Sequence, residues 1–267
     1  MTATPTILVF DSGLGGLTVF REVLAARPDA RFVYAADDAF FPYGRQDETK
    51  LVARVLDVMA HLIAAHRPDL VVVACNTAST LVLPRLRERF KVPFVGTVPA
   101  IKPACSGSNS KLVSVLGTEA TVKREYTRVL IREHGNGCAV TLVGSPRLAE
   151  LAEAELKGEA VTDAEVAAEI APCFVEANGA RTDTVVLACT HYPLLLDRLI
   201  RLAPWPVKYL DPAPAIARRV AELLRPPVPG APRQPARAVF TSGRAPAPTL
   251  AAARAGFGLG ESAKADI

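Results

Sequence analysis

Two short apolar runs that each end on a cysteine constrain the fold of this 267-residue chain more than any other feature. The first run is Val71–Cys75, and the second, Val185–Cys189, follows 114 residues later. Apolar, mostly β-branched runs of this length are typical of strands buried on both faces of a parallel sheet. Functional groups of such sheets collect beyond the carboxyl ends of the strands. The chain is therefore predicted to carry a similar thiol-bearing strand end twice.

Alternation of strands, turns and helices extends this pattern along most of the chain. Strands are predicted at 7–10, 31–36, 70–74, 92–97, 112–116, 139–143, 184–188 and 238–242. Helices are predicted at 16–27, from 47 onward, 78–90, from 121 to near 135, 146–157, 163–177 and from about 194. This order is typical of the α/β class with largely parallel sheets.

The second half of the chain repeats the order of the first half. Asp11 and Thr118 follow equivalent strands at an offset of 107 residues, close to the 114 that separate the two cysteines. We interpret this as a structural duplication. It predicts a first domain made of 1–97 plus 213–267 and a second domain at 98–212. The segment 226–235 holds five prolines and is predicted to be a stiff exposed linker.

Composition excludes several classes of protein. The net charge of +4 is mild, and no basic run indicates a nucleic-acid partner. No apolar stretch approaches the roughly 18 residues of a membrane helix, and the amino terminus lacks the pattern of a secretory signal. Five cysteines without a C-x-x-C pair argue against a disulfide framework and a structural zinc site. A reducing cytoplasm is the predicted compartment.

Cys75 and Cys189 are the candidate catalytic residues. Each lies at a strand-to-helix junction, where backbone N–H groups and the helix dipole favour a thiolate. Polar residues follow both cysteines, which is unusual for core packing; they are Asn76, Thr77, Thr190 and His191. The remaining cysteines are predicted to be small buried apolar residues; they are Cys105, Cys138 and Cys173.

Three further features leave alternatives open on the residues alone. The Asp11–Gly16 turn resembles a phosphate-binding loop, but it lacks the lysine of a P-loop. Its carboxylate suits an ammonium group, proton transfer or a helix N-cap. His191 could form a dyad with Cys189, ligate a metal, or be a satisfied polar residue, although no local ligand spacing supports a metal. The Phe41–Gly44 turn could brace a loop or offer backbone groups to a ligand.

Taken together, the motifs resemble those of bacterial glutamate racemases, in the same order and over nearly the whole chain. The motifs are Asp11-Ser12-Gly13-x-Gly15-Gly16-Leu17, Pro42-Tyr43-Gly44, Ala74-Cys75-Asn76-Thr77-Ala78, Gly117-Thr118-x-x-Thr121 and Cys189-Thr190-His191-Tyr192-Pro193. Glu153 falls where the family has a glutamate. The chain departs from the family pattern at Asp37–Phe40, at Ser145-Pro146 and at Arg244.

The resemblance implies a racemase that needs no cofactor and no metal and that supplies D-glutamate for peptidoglycan. It also implies two pseudo-symmetric, three-layer α/β domains with mainly parallel sheets and an active site in the interdomain cleft. The partner would be a small molecule, with no nucleic acid or membrane, and a homodimer is left open. The alternatives are an aspartate or hydantoin racemase and, in a different class, a non-catalytic inhibitor of a topoisomerase.

The resemblance also assigns roles to individual residues. Cys75 would act on D-glutamate with the help of Asp11, and Cys189 on L-glutamate with the help of His191. The substrate's ammonium and carboxylate groups would be held by Asp11, Ser12, Tyr43, Gly44, Asn76, Thr77, Thr190 and His191. Thr118 and Thr121 would assist with a carboxylate, because they open a helix in the second half.

Overall fold

The computed structural model describes residues 4–227, 230, 234–243, 257 and 259–264. The chain divides into two compact units, Met1–Thr97 with Ala213–Ile267, and Val98–Pro212. In the described ranges the strands are β1 Thr6–Asp11, β2 Arg31–Ala36, β3 Leu70–Val73, β4 Phe94–Gly96, β5 Leu112–Thr118, β6 Ala139–Ser145, β7 Glu176–Ala177, β8 Ala180–Arg181, β9 Thr184–Ala188, β10 Lys208–Leu210, β11 Ala236–Phe240 and β12 Leu259–Lys264.

The α-helices in the same ranges are α1 Leu17–Ala26, α2 Glu48–His66, α3 Asn76–Arg89, α4 Ile101–Gly107, α5 Glu119–Lys123, α6 Glu125–His134, α7 Leu148–Leu156, α8 Asp163–Ile170, α9 Leu196–Leu202 and α10 Ala213–Leu223. Short 3₁₀ helices occupy Tyr43–Arg45, Ala171–Cys173 and Tyr192–Leu195. None of the helices in the described part of the chain is long and apolar enough to cross a membrane.

The first unit is built on a parallel sheet with the strand order β12-β11-β2-β1-β3-β4. Its central strands are buried on both faces, as the apolar runs predicted. Helix α2 covers one face with the predicted stripe of Leu51, Val55, Val58 and Leu62, none of which is more than 2% exposed. Asp47 caps this helix by accepting a hydrogen bond from the Lys50 amide at 3.0 Å.

The second unit contains a parallel sheet with the order β10-β9-β5-β6. Side chains alternate along β9, so that Val185 and Leu187 enter one apolar core and Val186 and Ala188 enter another. The sheet is therefore covered on both faces. Its order β6-β5-β9-β10 matches β2-β1-β3-β4 of the first unit strand for strand in chain order. The two units thus share one topology, in which β5 corresponds to β1 and β9 to β3.

Two helix predictions were wrong in extent. The single helix predicted from Thr121 to near Gly135 is broken at Arg124, whose ψ of 136° is extended. There the Thr127 hydroxyl donates to the Thr121 carbonyl at 2.8 Å, which satisfies that oxygen without a continuous helix. The helix predicted at 163–177 ends at Ile170. Pro172 follows in a 3₁₀ turn, because proline cannot continue the backbone hydrogen bonds of the helix.

Several elements were missing from the sequence prediction, namely α4, α10, β10, β12 and the β7–β8 hairpin. The strand predicted at 238–242 is β11, which begins two residues earlier. Parts of two expectations fall outside the described residues. They concern residues 228, 229 and 231–233 of the proline-rich segment and Arg244.

Candidate active site

In the first unit, Asp11 and Cys75 lie at the carboxyl edge of neighbouring strands. Asp11 is the last residue of β1, and Cys75 follows β3 as the N-cap of α3. The Ala74 amide donates to the Phe10 carbonyl at 2.8 Å, which continues the β1–β3 pairing up to the cysteine. Cys75 is 5% exposed and Asp11 is fully buried. The sequence therefore brings a thiol and a carboxylate to one edge of one sheet.

The Asp11 carboxylate organises the glycine-rich turn that follows it. Its Oδ2 accepts hydrogen bonds from the Gly13 amide at 3.1 Å and the Gly16 amide at 3.0 Å. A Cβ at Gly16 would lie 2.5 Å from the Cβ of Asp11, so this position requires glycine. The N-cap of α1 is Gly16 rather than Asp11. Since the carboxylate already occupies these amides, the turn does not form a phosphate-binding loop.

Asn76 offers hydrogen-bonding groups that the described protein does not use. Its side chain is 2% exposed, and neither the Nδ2 nor the Oδ1 atom has a hydrogen-bond partner in the described structure. Buried amides are nearly always paired, so an unpaired one needs a reason. Ser12 and Thr77 at the same edge are also buried. The Asn76 amide beside Cys75 is thus available to a small ligand.

The Tyr43–Gly44 turn is anchored by a hydrogen bond to the buried Asp37 carboxylate. The Tyr43 hydroxyl donates to Asp37 at 2.7 Å, and Asp37 also pairs with Arg54 at 2.6 Å and accepts from Thr241 at 2.6 Å. Burial, and then the Asp37 charge, raise the pKa of Tyr43 well above its usual value. Tyr43 is therefore a neutral donor. Sequence reasoning treated Asp37 only as a departure from the family pattern.

In the second unit, Thr118 and Cys189 occupy the positions that correspond to Asp11 and Cys75. Thr118 ends β5 and caps α5 by accepting from the Thr121 amide at 3.1 Å, and the two hydroxyl oxygens are 3.0 Å apart. Cys189 follows β9 directly and is 7% exposed. Thr190, next in the chain, is also buried. The predicted residues of this half are thus brought to one sheet edge.

A chain of buried polar side chains extends from Cys189. The Cys189 Sγ lies 3.7 Å from the His191 Nδ1, and the His191 Nε2 lies 2.9 Å from the Glu153 Oε1. Lys157, the C-cap residue of α7, is exposed and pairs with the Glu153 Oε2 at 3.0 Å. Burial lowers the pKa of His191, but hydrogen bonds and the charges of Cys189 and Glu153 outweigh it and raise that pKa well above its usual value.

This arrangement defines what the second site can do chemically. A protonated His191 between a carboxylate and a sulfur can hold negative charge on the sulfur or return a proton to it. Glu153 holds the ring from its other side, as a carboxylate does in catalytic histidine–carboxylate pairs. Lys157 was missed by sequence reasoning. Its only signal was the i,i+4 spacing from Glu153 on a helix.

The three remaining cysteines differ in burial, and the described side chains bear on the metal hypothesis. Cys105 and Cys173 are buried and Cys138 is partly exposed. Among the residues that the structure describes, no three His, Cys, Asp or Glu side chains form a metal-binding group.

Comparison with known proteins agrees with these features. The family model for Asp/Glu/Hydantoin racemase matches residues 16–220. The glutamate racemase of Brucella anthropi is 59% identical over 221 residues, which are 82% of this chain and 80% of that protein. The crystal structure of Escherichia coli glutamate racemase, in complex with L-glutamate and the activator UDP-MurNAc-Ala, is 40% identical and covers 98% of both chains with a TM-score of 0.89. The glutamate racemase from Aquifex pyrophilus is 28% identical, with a TM-score of 0.75 and the same coverage. These matches confirm the resemblance drawn from the motifs, and the chain belongs to the Asp/Glu/Hydantoin racemase family.

Proposed function

We propose that this protein is a glutamate racemase that interconverts L- and D-glutamate without a cofactor. The observation that carries the proposal is the pair of corresponding strand ends, one bearing Cys75 beside Asp11 and the other bearing Cys189 beside His191. Relatives named as glutamate racemases share more than half of the aligned residues with this chain. Aspartate and hydantoin racemases remain the alternatives within the family.

Racemisation explains why two thiols are needed. The Cα–H of an amino acid is a very weak acid, and inversion removes the proton on one face and returns another proton on the opposite face. One base reaches both faces poorly, whereas two thiols divide the task, one as thiolate and the other as thiol. After one turnover the two thiols have exchanged protonation states. This chemistry needs no electron sink from a bound group, provided that the developing negative charge is stabilised by fixed donors.

We assign the first thiol to D-glutamate and the second thiol to L-glutamate. Cys75 would remove the proton of the D-enantiomer, with Asp11 orienting the reacting groups. Cys189 would remove the proton of the L-enantiomer, with His191 exchanging charge with the sulfur through Nδ1. We assign Glu153 a positioning role, because its carboxylate contacts the His191 ring.

Substrate binding is assigned to the polar groups at the two sheet edges. The unpaired Asn76 amide can donate to a carboxylate and accept from the ammonium group. Ser12, Thr77 and the backbone of Tyr43–Gly44 would complete the first half of the site. Thr190, Thr118 and Thr121 would bind a carboxylate from the second half.

The biological setting forms part of the same proposal. D-Glutamate is a component of peptidoglycan, so the enzyme would supply cell-wall synthesis. A cytoplasmic location would keep all five thiols reduced. The homodimer that the resemblance left open would be detected by light scattering of the purified protein as a mass of twice the 28.4 kDa chain. The mass of a single chain across the working concentration range would contradict a homodimer.

The test is a chiral assay with L-glutamate and L-aspartate on the dialysed, chelator-treated protein in the presence of a thiol reductant. We expect D-glutamate to form and aspartate to react much more slowly. Cys75→Ala and Cys189→Ala should each abolish inversion, while Cys173→Ala, a buried cysteine on neither strand end, should leave activity intact. Deuterium uptake in D₂O would show whether a single-thiol variant still exchanges the Cα proton. Full inversion by either variant would refute the two-thiol mechanism.

A further inference from the structure

Two cysteines outside the candidate site are in contact with each other. Cys105 lies on α4, and Cys138 directly precedes β6. The Cys138 thiol donates to the Cys105 carbonyl oxygen at 3.4 Å, and the two thiols themselves interact. Residues 33 positions apart in the chain have thus been brought together by folding. No local sequence pattern indicates that Cys105 and Cys138 are in contact, and the sequence analysis predicted both as small buried apolar residues.

The two thiols of this pair have different environments. Cys105 is fully buried in an apolar core, whereas Cys138 is partly exposed at the edge of that core. Burial, together with the neighbouring Cys138, raises the pKa of Cys105 to about 12. The Lys111 ammonium reaches the Cys105 carbonyl at 3.5 Å and places a positive charge beside the pair. The pair therefore consists of one accessible thiol and one protected thiol behind it.

We propose that Cys105 and Cys138 form a reversible disulfide when the protein meets a peroxide. In the first step the Cys138 sulfur attacks hydrogen peroxide, the O–O bond breaks, and Cys138 becomes a sulfenic acid with release of water. In the second step the Cys105 sulfur attacks the sulfenic sulfur, an S–S bond forms, and the thiol proton leaves with the hydroxyl group as water. Two thiols are oxidised and one peroxide is reduced.

The position of the pair separates it from the candidate catalytic thiol of the same unit. Cys138 is next to the amino end of β6, whereas Cys189 follows the carboxyl end of the parallel strand β9. A five- to seven-residue strand is about 15–23 Å long, so the disulfide would form at the opposite edge of the sheet. It would link α4 to the start of β6 and leave Cys189 free. The pair is thus a modification site that is independent of the proposed racemase activity.

The test is peroxide treatment of the full-length protein, followed by alkylation, intact mass and peptide mapping. We expect a loss of about 2 Da, the mass of two hydrogens, assigned to a Cys105–Cys138 peptide pair and reversed by dithiothreitol. Cys138→Ala should abolish the cross-link. Cys105→Ala should leave a Cys138 sulfenic acid that dimedone traps, because the second thiol is missing. Cys173→Ala is the matched control, since Cys173 is also buried in this unit and its pKa is likewise raised to about 12.

Circular dichroism checks that each variant is folded. Peptide mapping of the peroxide-treated wild-type protein tests the disulfide even if a variant fails to fold. Free Cys105 and Cys138 at a peroxide dose that oxidises Cys75 or Cys189 would overturn the proposal. Separate sulfinic acids on the two residues, or a cross-link of either one to a different cysteine, would overturn it as well. Because the readout is mass rather than activity, the result does not depend on whether the protein racemises glutamate.

Discussion

Replacement of Glu153 by glutamine tests the polar chain behind Cys189. The substitution keeps the shape of the side chain but removes the charge that lies 2.9 Å from the His191 Nε2 in a site where Glu153 is only 5% exposed. A hydrogen bond to a charged partner contributes about 1.5–3 kcal/mol. With about 1.4 kcal/mol for each tenfold change in rate, we expect kcat/KM to fall about 10- to 100-fold.

The fall in kcat/KM should be accompanied by unequal changes in the isotope effects of the two enantiomers, which a general loss of stability would not cause. The equilibrium constant between enantiomers is unity, so kcat/KM must fall equally for L- and D-glutamate. The individual steps need not respond equally. If Cys189 removes the proton of L-glutamate with help from His191, Glu153→Gln makes that step slower. The primary isotope effect with 2-deuterio-L-glutamate should then rise more than the effect with the D-enantiomer.

The same substitution should change the pH dependence. Hydrogen bonding to Glu153 contributes to the raised pKa of His191, so Glu153→Gln lowers that pKa. A raised pKa stabilises the protonated form below it, and this contribution is lost as pH rises through the folded-state value. If protonated His191 is required, the alkaline fall of kcat/KM should move to lower pH in the variant.

The matched control is Glu155→Gln. Glu155 lies on the same helix, pairs with Arg198 at 2.8 Å and is 43% exposed, so its charge is screened by solvent. Polarimetric assays in both directions with protonated and deuterated glutamate provide all the quantities. Equal kcat/KM for the two variants, or an isotope effect that rises mainly with D-glutamate, would refute the reasoning.

Three other predictions address stability. Gly16→Ala should lower the free energy of unfolding by about 1–3 kcal/mol, because the new Cβ would lie 2.5 Å from the Asp11 Cβ. Gly107→Ala is the control, since no atom lies within 4 Å of its new Cβ, and it should change the free energy of unfolding little. Urea titration of both variants measures the difference. Asp37→Asn should also lower the urea midpoint, because the Arg54 guanidinium loses its buried anion; an unchanged midpoint would contradict this. Burial opposes the shift, but hydrogen bonds from Ser110, Ser108 and Thr184 lower the pKa of Asp183 to about 2. Its contribution to stability should therefore be present above about pH 4 and lost as pH falls toward 2. In urea titrations the free energy of unfolding should decrease less steeply toward acid pH in Asp183→Asn than in the wild type.

The placement of candidate site residues at the ends of their own strands could be predicted from the sequence. Asp11 ends an apolar strand, Cys75 and Cys189 lie just beyond the ends of two others, and parallel pairing brings the ends of neighbouring strands to one edge. The buried stripe of α2 and its Asp47 cap were likewise local patterns. Helix α10 was missed, although Ile216, Ala217 and Val220 form a buried stripe with helical spacing.

Contacts between distant segments could not be predicted from local pattern. Glu153 is 38 residues from His191, and Asp37 is 204 residues from Thr241. The first pair depends on how α7 packs against the end of β9, and the second on the pairing of β2 with β11. The period of apolar residues specifies neither. The contact between Cys105 and Cys138 is of the same kind. Side-chain pairing of this type is fixed by the fold as a whole.

The two halves keep the same topology but place different partners at their cysteines, an acidic side chain in one half and a basic side chain in the other. At the edge that carries Cys75 the partner is Asp11, whose carboxyl group accepts two backbone hydrogen bonds. His191 has a raised pKa, so the group beside Cys189 is a cation at neutral pH. A two-thiol racemase needs one thiol and one thiolate at the start of each turnover. Divergence of the partners, with retention of the strand ends, gives two chemically distinct bases from one duplicated fold.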